Sequence, residues 1–360
     1  MIIIRAPFNS IVPDVPTMRF PRLLTLVACA AVLALPVSVA AQQTVLNLYT
    51  ARHYQTDEAL YAGFTKKTGI RINRIEAPED PLLERIRNEG ANSPADVLIT
   101  VDVGRLWRAQ QAGVFAPVHS AVLDKRIPPQ YRDPEGHWFG FSARARVIAY
   151  NKDVVKPGDI QSYEDLADPR WKGKVCTRSS GHVYSLSLMA SLVAHDGEAA
   201  TEKWARGVVA NLARDPKGGD TDQLRAVAAG ECDVALSNTY YIARLMRSTK
   251  PDERAMADKL GVVWPNQNGR GTQMNISGGG MLKHAPHKEA AIKFLEYLAS
   301  DEAQVYFADG NNEWPTVQSV RVDNPALAAL GEFKADTINV AQLGRNQSVA
   351  QKIADRAQFK

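Results

Sequence analysis

From Val45 onward, short apolar runs of strand character alternate with longer segments of helical period, and this alternation restricts the chain to an α/β fold. Residues 45–49, 70–75 and 95–100 read as strands. Helices read between and after them, at about 56–68, 81–89 and 103–112, with Thr56 or Asp57 placed to cap the first and Gly69 and Gly113 placed to end two of them. A βαβαβ order implies a parallel sheet with helices on its faces. At Trp138-Phe139-Gly140-Phe141-Ser142 the pattern changes, and residues 146–151 form a long strand of alternating character. A second strand–helix set then follows at 174–176, 186–196, 199–211, 223–229 and 232–236. Residues 262–264 begin a return, 275–280 lie near a second crossing, 288–298 read as an amphipathic helix, and 340–360 as a helix with Asn339 placed to cap it. Two crossings make each of two lobes discontinuous: 44–142 with 266–315, and 143–265 with 316–360. Such lobes hinge about a cleft, and in open α/β sheets ligands bind at the C-terminal ends of strands.

The N-terminus reads as an export signal spanning residues 1–41. Met18-Arg19-Phe20-Pro21-Arg22 is short and basic, residues 23–39 are almost wholly apolar, and Val39-Ala40-Ala41 supplies small residues for cleavage. Pro36 interrupts the apolar run, which is short for a membrane span. Met18 is the better initiator by this reading. Leu26-Val27-Ala28-Cys29 resembles a lipoprotein box, but an apolar rather than a polar segment follows Cys29, so acylation there ranks second to simple export to the periplasm.

Removing residues 1–41 lowers Lys+Arg from 43 to 40 and Asp+Glu from 39 to 38, a net charge of +2. That balance gives no footing for nucleic acid, and no basic run points to a membrane surface. Cys176 and Cys232 remain, and an even pair in an oxidising compartment favours a disulfide over two buried thiols.

The chemistry-bearing residues are tyrosines. Tyr54 follows the first strand in Ala51-Arg52-His53-Tyr54. Tyr184 closes the polar loop that follows Cys176, and Tyr240 and Tyr241 follow the strand at 234–236. A lone tyrosine in such a place is most often a packing residue with a polar tip. Adjacent tyrosines on a strand would face opposite ways, so Tyr240 and Tyr241 serve one site only if Asn238 caps a helix that begins there. A free phenol ionises near pH ~10, so phenolate ligation at neutral pH needs a strong, hard cation beside it. Fe(III) suits anionic oxygen donors, and tyrosine is an accepted iron ligand. Three or four phenolates leave the centre neutral or carrying one excess negative charge. Arg144 and Arg244 are candidates to stabilise that charge, with a surface salt bridge the alternative for each.

The segments Ala51-Arg52-His53-Tyr54, Ser142-Ala143-Arg144-Ala145-Arg146-Val147-Ile148-Ala149-Tyr150-Asn151 and Ser237-Asn238-Thr239-Tyr240-Tyr241-Ile242-Ala243-Arg244-Leu245 resemble the periplasmic ferric-binding proteins, the receptors of ABC importers. Asn275-Ile276-Ser277-Gly278 and Asn311-Asn312-Glu313-Trp314-Pro315 are similar to segments of the same family, and the likeness runs from about 44 to 360. The resemblance implies a type II periplasmic-binding fold and Fe(III) ligation by Tyr54, Tyr184, Tyr240 and Tyr241. It adds His53, at a position that ligates in some members only, and Arg144 near the metal or a bound carbonate. It further implies a monomer that docks on a permease driven by an ATPase, with carbonate or another synergistic anion completing the shell in some members.

Other signals carry less. Pro286 breaks the helical geometry that His284 and His287 would need to share a metal, and Gly278-Gly279-Gly280 lacks the Lys-Ser/Thr of a phosphate loop. The rival readings are a same-fold receptor for thiamine, a polyamine or a phosphonate, a binder of ferrous or other metals, and an exported enzyme. No acid–base pair or nucleophile–base spacing supports the last.

Overall fold

A computed structural model describes residues 44–52, 54 and 56–360 of the chain. The export signal, Cys29 and His53 lie outside the described residues. Nine strands occur among those described: β1 (Val45–Thr50), β2 (Arg71–Glu76), β3 (Val97–Val101), β4 (Phe139–Asn151), β5 (Val175–Cys176), β6 (Val234–Asn238), β7 (Leu260–Val263), β8 (Met274–Met281) and β9 (Trp314–Pro315). Hydrogen bonding orders them β2-β1-β3-β8-β4-β6-β5, with β7 and β9 also pairing with β4. The pairs β1–β2 and β1–β3 are parallel, as the expected βαβαβ order requires, while β8 returns antiparallel to β3.

β4 is longer than the expected 146–151 and is buried along its whole length. Its two halves have different neighbours. Phe139–Ala145 runs antiparallel to β8, with a register irregularity between Gly140 and Ser142, and Ser142 and Ala143 also pair with β9. Residues from Arg146 onward pair instead with β6, joined from Ile148 by β7. The glycines Gly278, Gly279 and Gly280 of β8 are there for space. A Cβ on Gly279 would sit 2.5 Å from the Leu98 carbonyl oxygen, and one on Gly280 would sit 2.1 Å from that of His137.

The first expected cap is built differently. Thr56 precedes the helix Asp57–Thr68, but its hydroxyl bonds Asn311 rather than the helix amides. The C-terminal region forms two helices, Ala341–Arg345 and Gln347–Arg356, with the Asn339 carboxamide accepting the Ala341 N–H. Among the described residues, no helix is long and apolar enough to cross a membrane.

Cys176, at the end of β5, is disulfide-bonded to Cys232, just before β6, with Cα atoms 5.9 Å apart. The bridge ties two neighbouring strands whose C-terminal loops carry Tyr184 on one side and Tyr240 and Tyr241 on the other. It closes a chain separation of 56 residues. Replacing both cysteines by serine is expected to lower the free energy of unfolding by about 2–4 kcal/mol under oxidising conditions. Urea unfolding of the oxidised wild type beside the double variant checks it, and reduction of the wild type should reproduce the loss.

Candidate metal centre

Each of the three parallel strand ends named by the sequence leads to a tyrosine. After β1 the chain turns back on itself. The Ala51 N–H reaches the Ile99 carbonyl, and Asp57, at the start of the next helix, accepts from Arg52 Nε at 2.8 Å. Tyr54 stands in this loop. After β5, His182 caps the helix Val183–Asp196 by accepting the Tyr184 N–H on Nδ1 at 3.2 Å, which fixes Tyr184 in the first turn. Burial, with Arg178 and Arg105 nearby, holds His182 down at about 3, so it is a neutral cap. After β6, the helix Thr239–Met246 places Tyr240 and Tyr241 in its first turn, and the Thr239 hydroxyl accepts the Ala145 N–H at 3.3 Å. Asn238 occupies the cap position but does not cap with its side chain. Its Oδ1 instead accepts from Arg146 Nη1 at 3.1 Å, because a buried arginine directly opposite it on the neighbouring strand β4 needs the acceptor more than a helix end does.

The structure brings all four tyrosines together. Tyr240 donates its hydroxyl hydrogen bond to the Tyr184 oxygen at 3.1 Å. The Tyr54 ring stands edge-on to Tyr240 at 6.4 Å, and Tyr241 lies tilted against Tyr240 at 4.3 Å. Tyr184 and Tyr240 are buried, and Tyr54 and Tyr241 are half-buried. Burial is the leading cause that pushes the Tyr184 phenol up to about 12 and raises Tyr54 and Tyr240 well above the ordinary tyrosine value. Glu313 and Tyr184 add to the effect at Tyr54, and neighbouring tyrosines add to it at Tyr240. Without a cation these phenols are therefore neutral, and a cation that binds them must displace protons.

Arg144 is buried, with its guanidinium 5.6 Å from the centre of the Tyr240 ring. It donates to Glu313 and to Ser277. Arg244 is exposed, covering the outer face of the Tyr241 ring at 5.1 Å and donating to Thr221 at 3.1 Å. Both candidates thus lie on ligand-candidate rings, one within the protein and one against solvent.

The sequence reading assigned no role to Glu313, which is fully buried and central. The helix Asp301–Asn311 is ended by Asn312 in a left-handed conformation (φ 56°), which asparagine tolerates, and β9 follows at once. That geometry sets Glu313 beside Ser142, which donates to it, and beside Arg144, Arg52 and the Tyr54 hydroxyl, the last 3.4 Å away. Burial favours a neutral Glu313, but Arg144, Arg52 and the Ser142 bond outweigh it and hold the carboxyl below its usual range. No role was assigned either to Arg52, whose guanidinium lies 4.6 Å from the Tyr54 ring centre. Among the described residues, one other group has metal-ligand types at close range: Asp133, Glu135 and His137. The Asp133 carboxylate there already accepts the backbone N–H groups of its own turn and the His137 ring.

Residues 92–330 match the bacterial extracellular solute-binding proteins, and this chain belongs to that family. Its members are solute-binding transport proteins, not enzymes. The chain is 52% identical over 319 residues to iron uptake protein A1 of a Synechocystis species, covering 89% of this chain and 88% of that one. Among solved structures it resembles a Trichodesmium protein (IdiA, FutA) in complex with iron and citrate, at 55% identity and a TM-score of 0.85, covering 88% of this chain and 100% of the other. The ferric binding protein from Campylobacter jejuni is similar at 42% identity and a TM-score of 0.83, again covering 88% and 100%. These likenesses make the fold the type II solute-binding fold.

Glu313→Gln leaves Arg144 and Arg52 buried without their shared anion, at an expected cost of about 3–5 kcal/mol to the metal-free protein at neutral pH. Because the folded pKa of Glu313 is depressed, its contribution is fully present above the ordinary glutamate range and is lost as pH falls through the folded value. Urea unfolding at neutral and acidic pH should therefore show a smaller difference between variant and wild type in acid.

Proposed function

We propose that this chain is a periplasmic receptor that captures Fe(III) through the phenolates of Tyr54, Tyr184, Tyr240 and Tyr241 and delivers it to an ABC permease powered by its ATPase. The observation that carries this reading is the convergence of four tyrosines from three separate loops into one contact chain, with buried arginines behind it. Organic solutes would more naturally be met by aromatic faces with a carboxylate or arginine clamp. Hydroxyl groups meeting one another suit a small hard cation. Proteins similar to this one are named for iron uptake and ferric binding, which supports the same reading. His53 adjoins Tyr54 in sequence, and as a neutral imidazole it would be a fifth donor. Carbonate, citrate or another anion would complete the shell beside Arg144.

The proposed lobes, 44–142 with 266–315 and 143–265 with 316–360, put Tyr54 on one side and Tyr184, Tyr240 and Tyr241 on the other. β4 passes from one to the other near Ser142, and β8 and the 268–278 segment return. The half-and-half pairing of β4 supports that division. Iron that contacts both lobes favours the closed state by its differential affinity for it, and opening on the permease would release it. The export signal at 1–41 delivers the chain to the periplasm, as a monomer.

The purified mature protein given ferric citrate should develop a broad visible phenolate-to-iron charge-transfer band. Tyr240→Phe and Tyr184→Phe should each shift or weaken it. No band, with no iron retained through a desalting column, would overturn the ferric reading in favour of an organic solute.

A further inference from the structure

Charge bookkeeping around the tyrosines points to a residue that neither the sequence reading nor the family likeness singled out. Fe(III) carries three positive charges and four phenolates carry four negative ones, so the proposed centre holds one excess negative charge. On the Tyr54 side the fixed charges cancel, because Arg52 and Arg144 are matched by Asp57 and Glu313. On the Tyr184 side the ion-paired groups leave one cation over. Arg146 and Arg178 share a single carboxylate, Asp220, which is fully buried at the start of the helix Asp220–Ala228.

Asp220 makes three connections. Arg146 donates to its Oδ2, the Asn238 N–H donates to the same oxygen at 2.8 Å, and Arg178 Nη1 donates to Oδ1 at 3.0 Å. Its carboxylate therefore grips both the loop before Tyr184 and the residue two before Tyr240. Held this way, the Arg178 guanidinium lies 5.1 Å from the centre of the Tyr184 ring, within cation–π range, with its Nε buried and unpartnered. The other charges near Tyr184 do not supply the missing cation. Arg144 acts on Tyr184 but is already matched by Glu313, Asp102 adds negative charge, Arg105 stands 3.6 Å from Glu79, and Arg244 is exposed beside Tyr241, where solvent screens it.

We infer that Arg178, positioned by Asp220 over the Tyr184 ring, is the counter-cation of the fourth phenolate and sets how long the centre keeps its iron. This rests on the ferric reading above. A stability role alone accounts for it poorly, since burying a carboxylate with two guanidiniums is seldom more stabilising than an apolar group of the same volume. Arg178 is also the arginine that Asp220 can lose without harm to the fold, because Arg146 and the Asn238 N–H still satisfy the carboxylate.

The test compares wild type, Arg178→Gln and Arg178→Lys, each loaded with ferric citrate and then mixed with excess EDTA, following the decay of the visible band. Arg178→Gln should lose iron about 10–100-fold faster than wild type, the usual scale for a partner of a metal ligand, with its band displaced in wavelength. Arg178→Lys, which keeps the charge, should recover most of the difference in rate. A glutamine variant with the band and decay of wild type would overturn the inference and leave the ferric reading intact. So would a lysine variant as fast as glutamine, since shape and not charge would then matter. A wild type with no band would remove the ferric reading and this inference with it.

Discussion

Thirteen consecutive buried residues in β4 leave no ready place for charge, yet Arg144 and Arg146 sit there side by side on one face. A guanidinium cannot shed its proton to escape burial, so each must be met by an anion from elsewhere in the chain. Glu313 reaches Arg144 from the segment after the helix Asp301–Asn311, and Asp220 reaches Arg146 from the start of another helix. The two carboxylates do more than neutralise. Glu313 also engages Arg52 and the Tyr54 hydroxyl, and Asp220 also engages Arg178 and the backbone before Tyr240. The need to satisfy two buried arginines thus fixes the loops on which all four tyrosines stand.

The same arrangement decides what the tyrosines can do. Burial makes Tyr54, Tyr184 and Tyr240 poor acids, and the Tyr184 phenol alone, at about 12, would cost about 7 kcal/mol to ionise at neutral pH at ~1.4 kcal/mol per pK unit. The arginines act against that cost without removing it, which is how a site stays protonated when empty and still accepts a strong cation.

Much of this was legible in the sequence, and the reason is local. A strand followed by a loop and a capped helix leaves a periodic signature, so β1, β2, β3 and β6 and the loops beyond them could be read within a few residues. The paired Tyr240 and Tyr241 required a helix start, and the helix begins at Thr239. The disulfide partners were the only two cysteines left to pair beyond the export segment. What escaped notice was set by distant contacts. Nothing near Glu313 in sequence shows that it will meet Arg144, 169 residues earlier. Asn238 looked like a cap because caps are local, and it turned instead to Arg146 because burial made that the greater need. The full reach of β4 was hidden for a related reason. Its first half pairs with β8 and its second with β6 and β7, and the first half, with Gly140, Ser142 and Arg144 among its apolar residues and buried throughout, did not read as part of the same strand.

A cleft built on this plan discriminates by charge before it discriminates by size. Displacing protons from several raised phenols is a fixed cost for any occupant, whatever its radius. An ion of lower charge recovers less of it from the same oxygens, since the Coulomb gain scales with the ion's charge while the deprotonation cost does not. A neutral organic solute recovers none and would meet hydroxyl groups already satisfied by one another, as Tyr240 and Tyr184 are. On the ferric reading, selectivity for a trivalent ion therefore follows from burying the phenols, and the arginines on β4 set how strongly that ion must bind to be held.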